Sequence, residues 1–174
     1  MAAAIQIRDG HGIFDLGHAH VFDGSLQSNI QIAQVGHKMC IEGQISGTSI
    51  DTKVALEALK IIPFVQSKVD FTMTVQTLAS SWSEIFKKMQ EEVALNMSSG
   101  RLLGYDVSKL HALLLKNEQF HLVNDNTLST TFERWDIQTK FSDNIMTVVQ
   151  SLMCVADWNV SLWGAISSAN IQDW

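Results

Sequence analysis

The segment GHGIFDLGHAHVFDG, residues 10–24, contains three of the six histidines of this chain. In an extended strand, residues two apart lie on the same face, so His18 and His20 would present two imidazoles side by side. Paired imidazoles are a common part of divalent-metal sites. His11 and His37 add ligands if turns bring them close. The pattern leaves two interpretations open, a metal site or strand histidines that face water or another chain, and we favour the second.

Within this segment, FDLGHAHVFDG resembles the first-strand motif of the amidohydrolase superfamily, an apolar strand that ends in His-x-His. The resemblance covers only these residues. In that family the two histidines bind a catalytic metal, which here implies His18 and His20. The family fold is an eight-stranded α/β barrel of roughly 250 residues, whereas this chain has 174 residues and only His111 and His121 follow His37. A small metal-dependent hydrolase is therefore kept only as a third hypothesis.

The charge pattern excludes nucleic acid as a partner. The net charge is −6, and the densest basic spot, Lys87–Lys88, is followed at once by Glu91 and Glu92. Nucleic-acid binding needs a basic stripe that displaces counterions. Charged residues make up 17% of the chain, below the usual ~25%. A weakly charged surface repels itself less, which favours association with itself or another protein.

Other signs of chemistry are sparse. The sequence has no G-x-S-x-G, G-x-G-x-x-G, Walker A, H-E-x-x-H or EF-hand pattern, so we expect no catalytic residues and no cofactor unless the histidines hold a divalent metal. Cys40 and Cys154 form one disulfide or two buried thiols, and their apolar neighbours favour thiols. The first residues lack the features of a signal peptide, so a cytoplasmic location is the default expectation.

The order of elements predicts a single α+β domain over residues 1–174. The predicted N-terminal part is a set of short antiparallel strands at 4–9, 13–21, 29–35 and 38–45, although 25–41 also fits a helix. The predicted remainder is a long amphipathic strand at 65–77, a hairpin at 120–132, and four helices at 50–62, 81–98, 106–116 and 143–157.

Two of these predictions depend on clear patterns. VQSKVDFTMTVQT alternates apolar and polar residues, which is typical of a strand with one wet face. Ser81 and Glu84 form a capping box before an apolar stripe at helical spacing, which is typical of a helix start. Asp51 or Ser49 caps the helix at 50–62, and Pro63 ends it.

The end of the chain is apolar and rich in tryptophan. Residues 144–166 carry one charge, Asp157, and are long enough to span a bilayer. Three interpretations are open: a core helix with an apolar arm at 158–174 docked on the domain, an arm that binds a partner, or a membrane-inserting segment. Tryptophan suits interfaces because its ring offers area and one donor. The predicted interface residues are Trp158, Trp163, Trp174, Phe71 and Met73.

These observations favour a non-enzymatic interaction or assembly protein, such as a self-associating structural or adaptor component. The alternative is a soluble membrane-active or lipid-binding protein, in which the amphipathic helices at 81–98 and 106–116 leave the sheet containing strand 65–77. In that alternative the membrane is the partner.

Overall fold

The computed structural model describes residues 2–81, 84–85, 88–116, 124–143 and 145–167. Of these residues, 68% lie in strands and 12% in helices. The prediction of an α+β domain with four helices is therefore wrong, because the fold is largely antiparallel β-sheet. The elements are β1 Ala2–Arg8, β2 His11–Val21, β3 Gly24–Val35, β4 Lys38–Asp51, α1 Thr52–Ala58, β5 Val65–Gln66, β6 Lys68–Ala79, β7 Gln90–Met97, β8 Gly100–Leu103, α2 Val107–Leu115, β9 Ser129–Phe132, β10 Arg134–Ser142, β11 Ile145–Val155 and β12 Trp158–Ser167.

Nine strands form one antiparallel sheet in the order β1-β2-β3-β4-β6-β7-β10-β11-β12. Its first four strands and its last three are joined by two-residue turns. Most of these turns contain a residue with positive φ, such as Asp9 at 49° followed by Gly10 at 78°. Turns of this kind match the twist of antiparallel strands and bring them into register. The sheet is thus built mainly from neighbours in sequence.

The other elements form a smaller layer over part of this sheet. It contains α1, α2 and a three-stranded sheet in the order β5-β8-β9. Phe132 of β9 is fully buried between the layers. Around it lies the core, which consists of Ile50, Val65, Val69, Met97, Met153 and Val155.

Two predicted helices are strands in the structure. Residues 145–155 of the predicted helix at 143–157 form β11, and residues 90–97 of the predicted helix at 81–98 form β7, although Glu84, Ile85 and Lys88 are helical. The alternative in which a helix at 81–98 peels from the sheet is therefore wrong in that detail. The apolar residues of 143–157 also fit a strand, and this segment is rich in valine, isoleucine and threonine, which favour strands when partners are available.

Only the second half of the predicted hairpin at 120–132 falls on described residues. Its second half is β9, but β9 pairs with β8, and Gly100 lies opposite Phe132. Residues 117–123 lie outside the described residues. Local sequence could not reveal this pairing because α2 lies between the two strands.

Other predictions match their elements. The alternating segment at 65–77 is extended, but it is divided between β5 of the small sheet and β6 of the large sheet. The helix predicted at 106–116 corresponds to α2, and the helix predicted at 50–62 corresponds to α1, which ends at Ala58 and not at Pro63. Asp51 caps α1 by accepting the Val54 N–H at 3.1 Å. The segment 25–41 is strand and not helix, and the cysteines are free thiols, so no disulfide joins them.

Candidate functional site

The pairing of strands places an almost continuous set of apolar side chains on one side of the nine-stranded sheet. Directly opposed residues of an antiparallel ladder point to the same side, so the register assigns every strand residue to a face. Ile5 lies opposite Phe14, Phe14 opposite Ile30, and Met73 opposite both Ile45 and Val93. We call this side the apolar face, and its representatives from β1 to β12 are Ile5, Phe14, Ile30, Ile45, Met73, Val93, Ile137, Val148 and Leu162.

The other side, here called the polar face, carries charged and amide side chains at the alternate positions. In neighbouring strands, Asp15 lies opposite Asn29, and Gln44 lies opposite Thr74. Lys140 lies opposite Glu92 and forms an ion pair with it at 2.7 Å. The sheet therefore separates an apolar side from a wet side across all nine strands.

The apolar face is shielded even where its neighbours on the polar face are exposed. Ile30 and Ile32 of β3 are half-buried, whereas Asn29 and Gln31 on the same strand are exposed. On this strand the apolar side chains are therefore more shielded from water than the polar side chains beside them.

The smaller layer covers only part of the apolar face. The core side chains Ile50, Val69 and Met97 lie beneath it. Towards the outer strands, Ile5 is 66% exposed, Ile7 75% and Leu162 56%. A large exposed apolar surface is uncommon on a protein that acts alone and is typical of a binding surface.

A cavity of about 630 Å³ lies where α2 crosses the end of the apolar face. Its lining is mostly apolar and combines Leu110 and Leu113 of α2 with Trp135, Met153 and Leu162 of the large sheet. Ligand cavities in proteins typically have volumes of about 300–1,000 Å³ and apolar walls with few polar groups. The cavity and the apolar face share wall residues, so they form one continuous candidate site.

Buried hydrogen bonds fix the start of α2 above this cavity. The Thr130 hydroxyl of β9 accepts the Val107 N–H at 2.9 Å and donates to the Tyr105 carbonyl at 2.9 Å. The Asp106 carboxylate accepts the Lys109 N–H at 2.9 Å, as a capping residue does at a helix start. Further along α2, the His111 ring stacks on Trp158 with centroids 5.1 Å apart.

Among the described residues, the charged groups at the cavity wall are Asp106, Lys109 and Asp125. Hydrogen bonds from the Thr127 hydroxyl and backbone N–H lower the pKa of Asp125 below its usual value. Asp125 therefore stays ionised over the whole physiological range. The site thus combines an apolar interior with a few charges of both signs.

The histidines predicted as metal ligands lie elsewhere. Register places His11 and His20 on the polar face, where they lie opposite Ala33 and Ser25, and His37 is in the turn between β3 and β4. Nδ1 of His18 lies 2.6 Å from the Gln27 side-chain amide nitrogen and 3.0 Å from the Gly17 carbonyl oxygen, so protein groups already contact that nitrogen. Among the residues that the structure describes, no three His, Cys, Asp or Glu side chains come together in a way that could hold a metal ion.

The predicted interface residues are split between the two faces. Phe71, Met73 and Trp158 lie on the apolar face, whereas Trp163 lies on the polar face of the outer strand β12 and is 78% exposed. Trp174 lies outside the described residues. Residues 158–167 of the predicted C-terminal arm form β12. Residues 168–174 of this arm lie outside the described residues.

Sequence reasoning missed the extent of the apolar face. The alternation that identified strand 65–77 is repeated in GIFDL, NIQIAQ and CIEGQIS, but these runs are short. What unites them is their pairing in register, which single runs do not reveal.

No protein-family model, curated protein or solved structure matches this chain. Within the described residues, no helix is both long and apolar enough to cross a membrane.

Proposed function

We propose that this protein binds long apolar chains, of the kind found in the acyl groups of lipids, along the apolar face. The observation that carries this proposal is the continuous apolar side of a nine-stranded sheet, of which the smaller layer covers only a part. This develops the lipid-binding alternative from the sequence. The sequence-based expectation of self-association stays a separate proposal, and the hydrolase hypothesis gains no support from the histidine positions.

The dimensions of the face suit an elongated ligand. Nine strands have eight spacings of about 4.8 Å, which makes the face about 38 Å wide across the ladder. One acyl chain occupies about half of the ~30 Å hydrocarbon thickness of a bilayer. The face is therefore longer than one chain, and the α2 cavity offers an apolar enclosure for one chain end.

The energetics also favour a hydrocarbon over a polar ligand. Each methylene removed from water contributes about 0.8 kcal/mol, so ten buried methylenes contribute about 8 kcal/mol before the cost of ordering the chain. A polar ligand would lose hydrogen bonds to water, and the apolar face offers few replacements. The charges of Asp106, Lys109 and Asp125 lie where a lipid headgroup could meet them.

The test is the transfer of a fluorescent phospholipid from phosphatidylcholine vesicles to the protein. We expect saturable uptake by the natural protein. Ile45→Asp places a charge on the apolar face and should reduce uptake strongly. Gln44→Asp is the matched control, because it adds the same charge one residue away on the exposed polar face.

Four outcomes separate the hypotheses. Uptake that is lost in Ile45→Asp and retained in Gln44→Asp supports the proposal. Absence of uptake by the natural protein refutes it. Equal uptake by both variants means that the lipid binds elsewhere, which also refutes it. Release of a dye trapped inside the vesicles would instead indicate the membrane-disrupting alternative.

A further inference from the structure

In the part of the chain that the structure describes, the outer strand β1 pairs with β2 on one side and with no strand on the other. β1 and β2 are joined by a two-residue turn, so Arg8 and His11 flank it and form the first hydrogen-bonded pair. Hydrogen-bonded pairs alternate along an antiparallel ladder, so Gln6 and Ala4 also bond to β2. The backbone N–H and C=O groups of Ala3, Ile5 and Ile7 consequently point away from the sheet.

Most of the devices that block pairing at an exposed edge are missing from β1, whose one charged side chain, Arg8, lies at its end. Its pairing with β2 is regular from Ala3 to Arg8, and these residues include no proline, lysine or internal bulge. Such devices normally prevent one sheet edge from joining another. The residues with outward backbone groups also carry the exposed apolar side chains, Ile5 at 66% and Ile7 at 75%.

The opposite edge, β12, differs in these respects. Its pairing with β11 shifts register between Val148 and Ser151, so the strand is irregular in its middle. Val155 and Trp158 flank the turn between β11 and β12 and form its first hydrogen-bonded pair. Because hydrogen-bonded pairs alternate along the ladder, the backbone groups of Asn159 and Ser161 point away from the sheet. A second strand at β12 would meet polar side chains and an irregular ladder, which disfavours a head-to-tail chain of copies.

We propose that β1 pairs antiparallel with β1 of a second copy about a two-fold axis at Ile5. In this register Ile5 lies opposite Ile5 and Ala3 opposite Ile7, so all three outward residues of each strand form hydrogen-bonded pairs. Arg8 lies opposite Ala2, which keeps the two like charges apart. Directly opposed residues share a face, so the apolar faces of both copies join into one continuous surface.

Disulfide trapping tests this register directly. Hydrogen-bonded antiparallel partners have Cα atoms about 5.5 Å apart, within the range of about 4.4–6.8 Å that a disulfide spans. In a chain with Cys40→Ser and Cys154→Ser, Ile5→Cys should therefore cross-link into a dimer under mild oxidation. Gln6→Cys is the matched control, because two copies of residue 6 are diagonal neighbours about 7–8 Å apart. We expect cross-linking about tenfold slower for this control.

A second variant tests the association without a cross-link. Ile5→Lys places two like charges opposite each other at the axis, and the side chain is exposed, so the fold should persist. Light scattering over a wide range of lipid-free protein concentration should show a dimer for the natural protein and a monomer for Ile5→Lys. A natural protein that stays monomeric overturns the proposal, and so does a dimer that persists in Ile5→Lys or equal cross-linking of both cysteine variants. These measurements use no lipid, so their outcome is independent of the uptake experiment.

Discussion

Thr130 provides the sharpest test of how the smaller layer is fixed over the cavity. Its side chain is buried at 6% exposure, and its hydroxyl contacts two backbone groups at the start of α2, the Val107 N–H and the Tyr105 carbonyl. Thr130→Val keeps the shape of the side chain and removes only the hydroxyl. Any loss of stability therefore reports on the two hydrogen bonds.

The magnitude follows from those contacts. Each hydrogen bond contributes about 1 kcal/mol net, and a buried N–H left without a partner costs about 1–3 kcal/mol. We expect Thr130→Val to lower the free energy of unfolding by about 2–4 kcal/mol, a large part of the ~5–15 kcal/mol typical of a domain. Thr130→Ser keeps the hydroxyl and loses one methyl group, so it should cost only about 1 kcal/mol.

Urea denaturation followed by tryptophan fluorescence measures both variants. Trp135 and Trp158 pack against the core, so their emission reports on its loss. If the free energy of unfolding falls with urea concentration at the same slope in both variants, they expose the same amount of surface on unfolding. The reasoning is refuted if Thr130→Val is as stable as Thr130→Ser, because the hydroxyl would then contribute nothing measurable.

Two further predictions concern the backbone of the large sheet and the start of α1. A Cβ at Gly47 would overlap the ring of Phe71, so Gly47→Ala should lower the free energy of unfolding by about 1–3 kcal/mol. A Cβ at Gly43 would meet its nearest atom at 3.1 Å, so Gly43→Ala should lower it less. Thermal unfolding that shows Gly43→Ala to be the less stable variant would contradict this. Hydrogen bonding from the Val54 N–H lowers the pKa of Asp51. The ionised Asp51 carboxylate therefore stabilises the fold above the pKa of about 3.9 that it has in the unfolded chain, and this stabilisation is lost as the pH falls below that value. Asp51→Ala should therefore cost about 1 kcal/mol at pH 7 and clearly less at pH 3; equal costs at both pH values, measured by urea denaturation, would exclude this role for the charge.

Some elements could be predicted because their patterns are local. The alternation across residues 65–77 identifies β6 and the face of Phe71 and Met73 that turns inward. Asp51 marks the start of α1 through capping, whereas the helix ends at Ala58, before the predicted stop at Pro63. Each of these signals acts between residues close in sequence.

The errors share a physical cause. In residues 143–157 the apolar positions fit a helical stripe, and residues 145–155 form a strand because β10 and β12 offer partners on both sides. In residues 90–97 the partners are β6 and β10, and β10 begins well beyond the segment in sequence. Propensity is a weak preference that hydrogen bonding and packing in the folded state override.

The candidate site shows the same division. The sequence by itself determined the alternation of single strands, the turns that join neighbours, the low charge and the absence of familiar catalytic motifs. Only the tertiary structure decided that the apolar sides of nine strands face the same way, that α2 encloses a cavity at one end, and that β1 is an outer strand. Most strand pairs form between neighbours in sequence, but the pairing of β7 with β10, which joins the two halves of the sheet, depends on contacts between residues far apart in sequence. Such contacts form only when the whole sheet assembles.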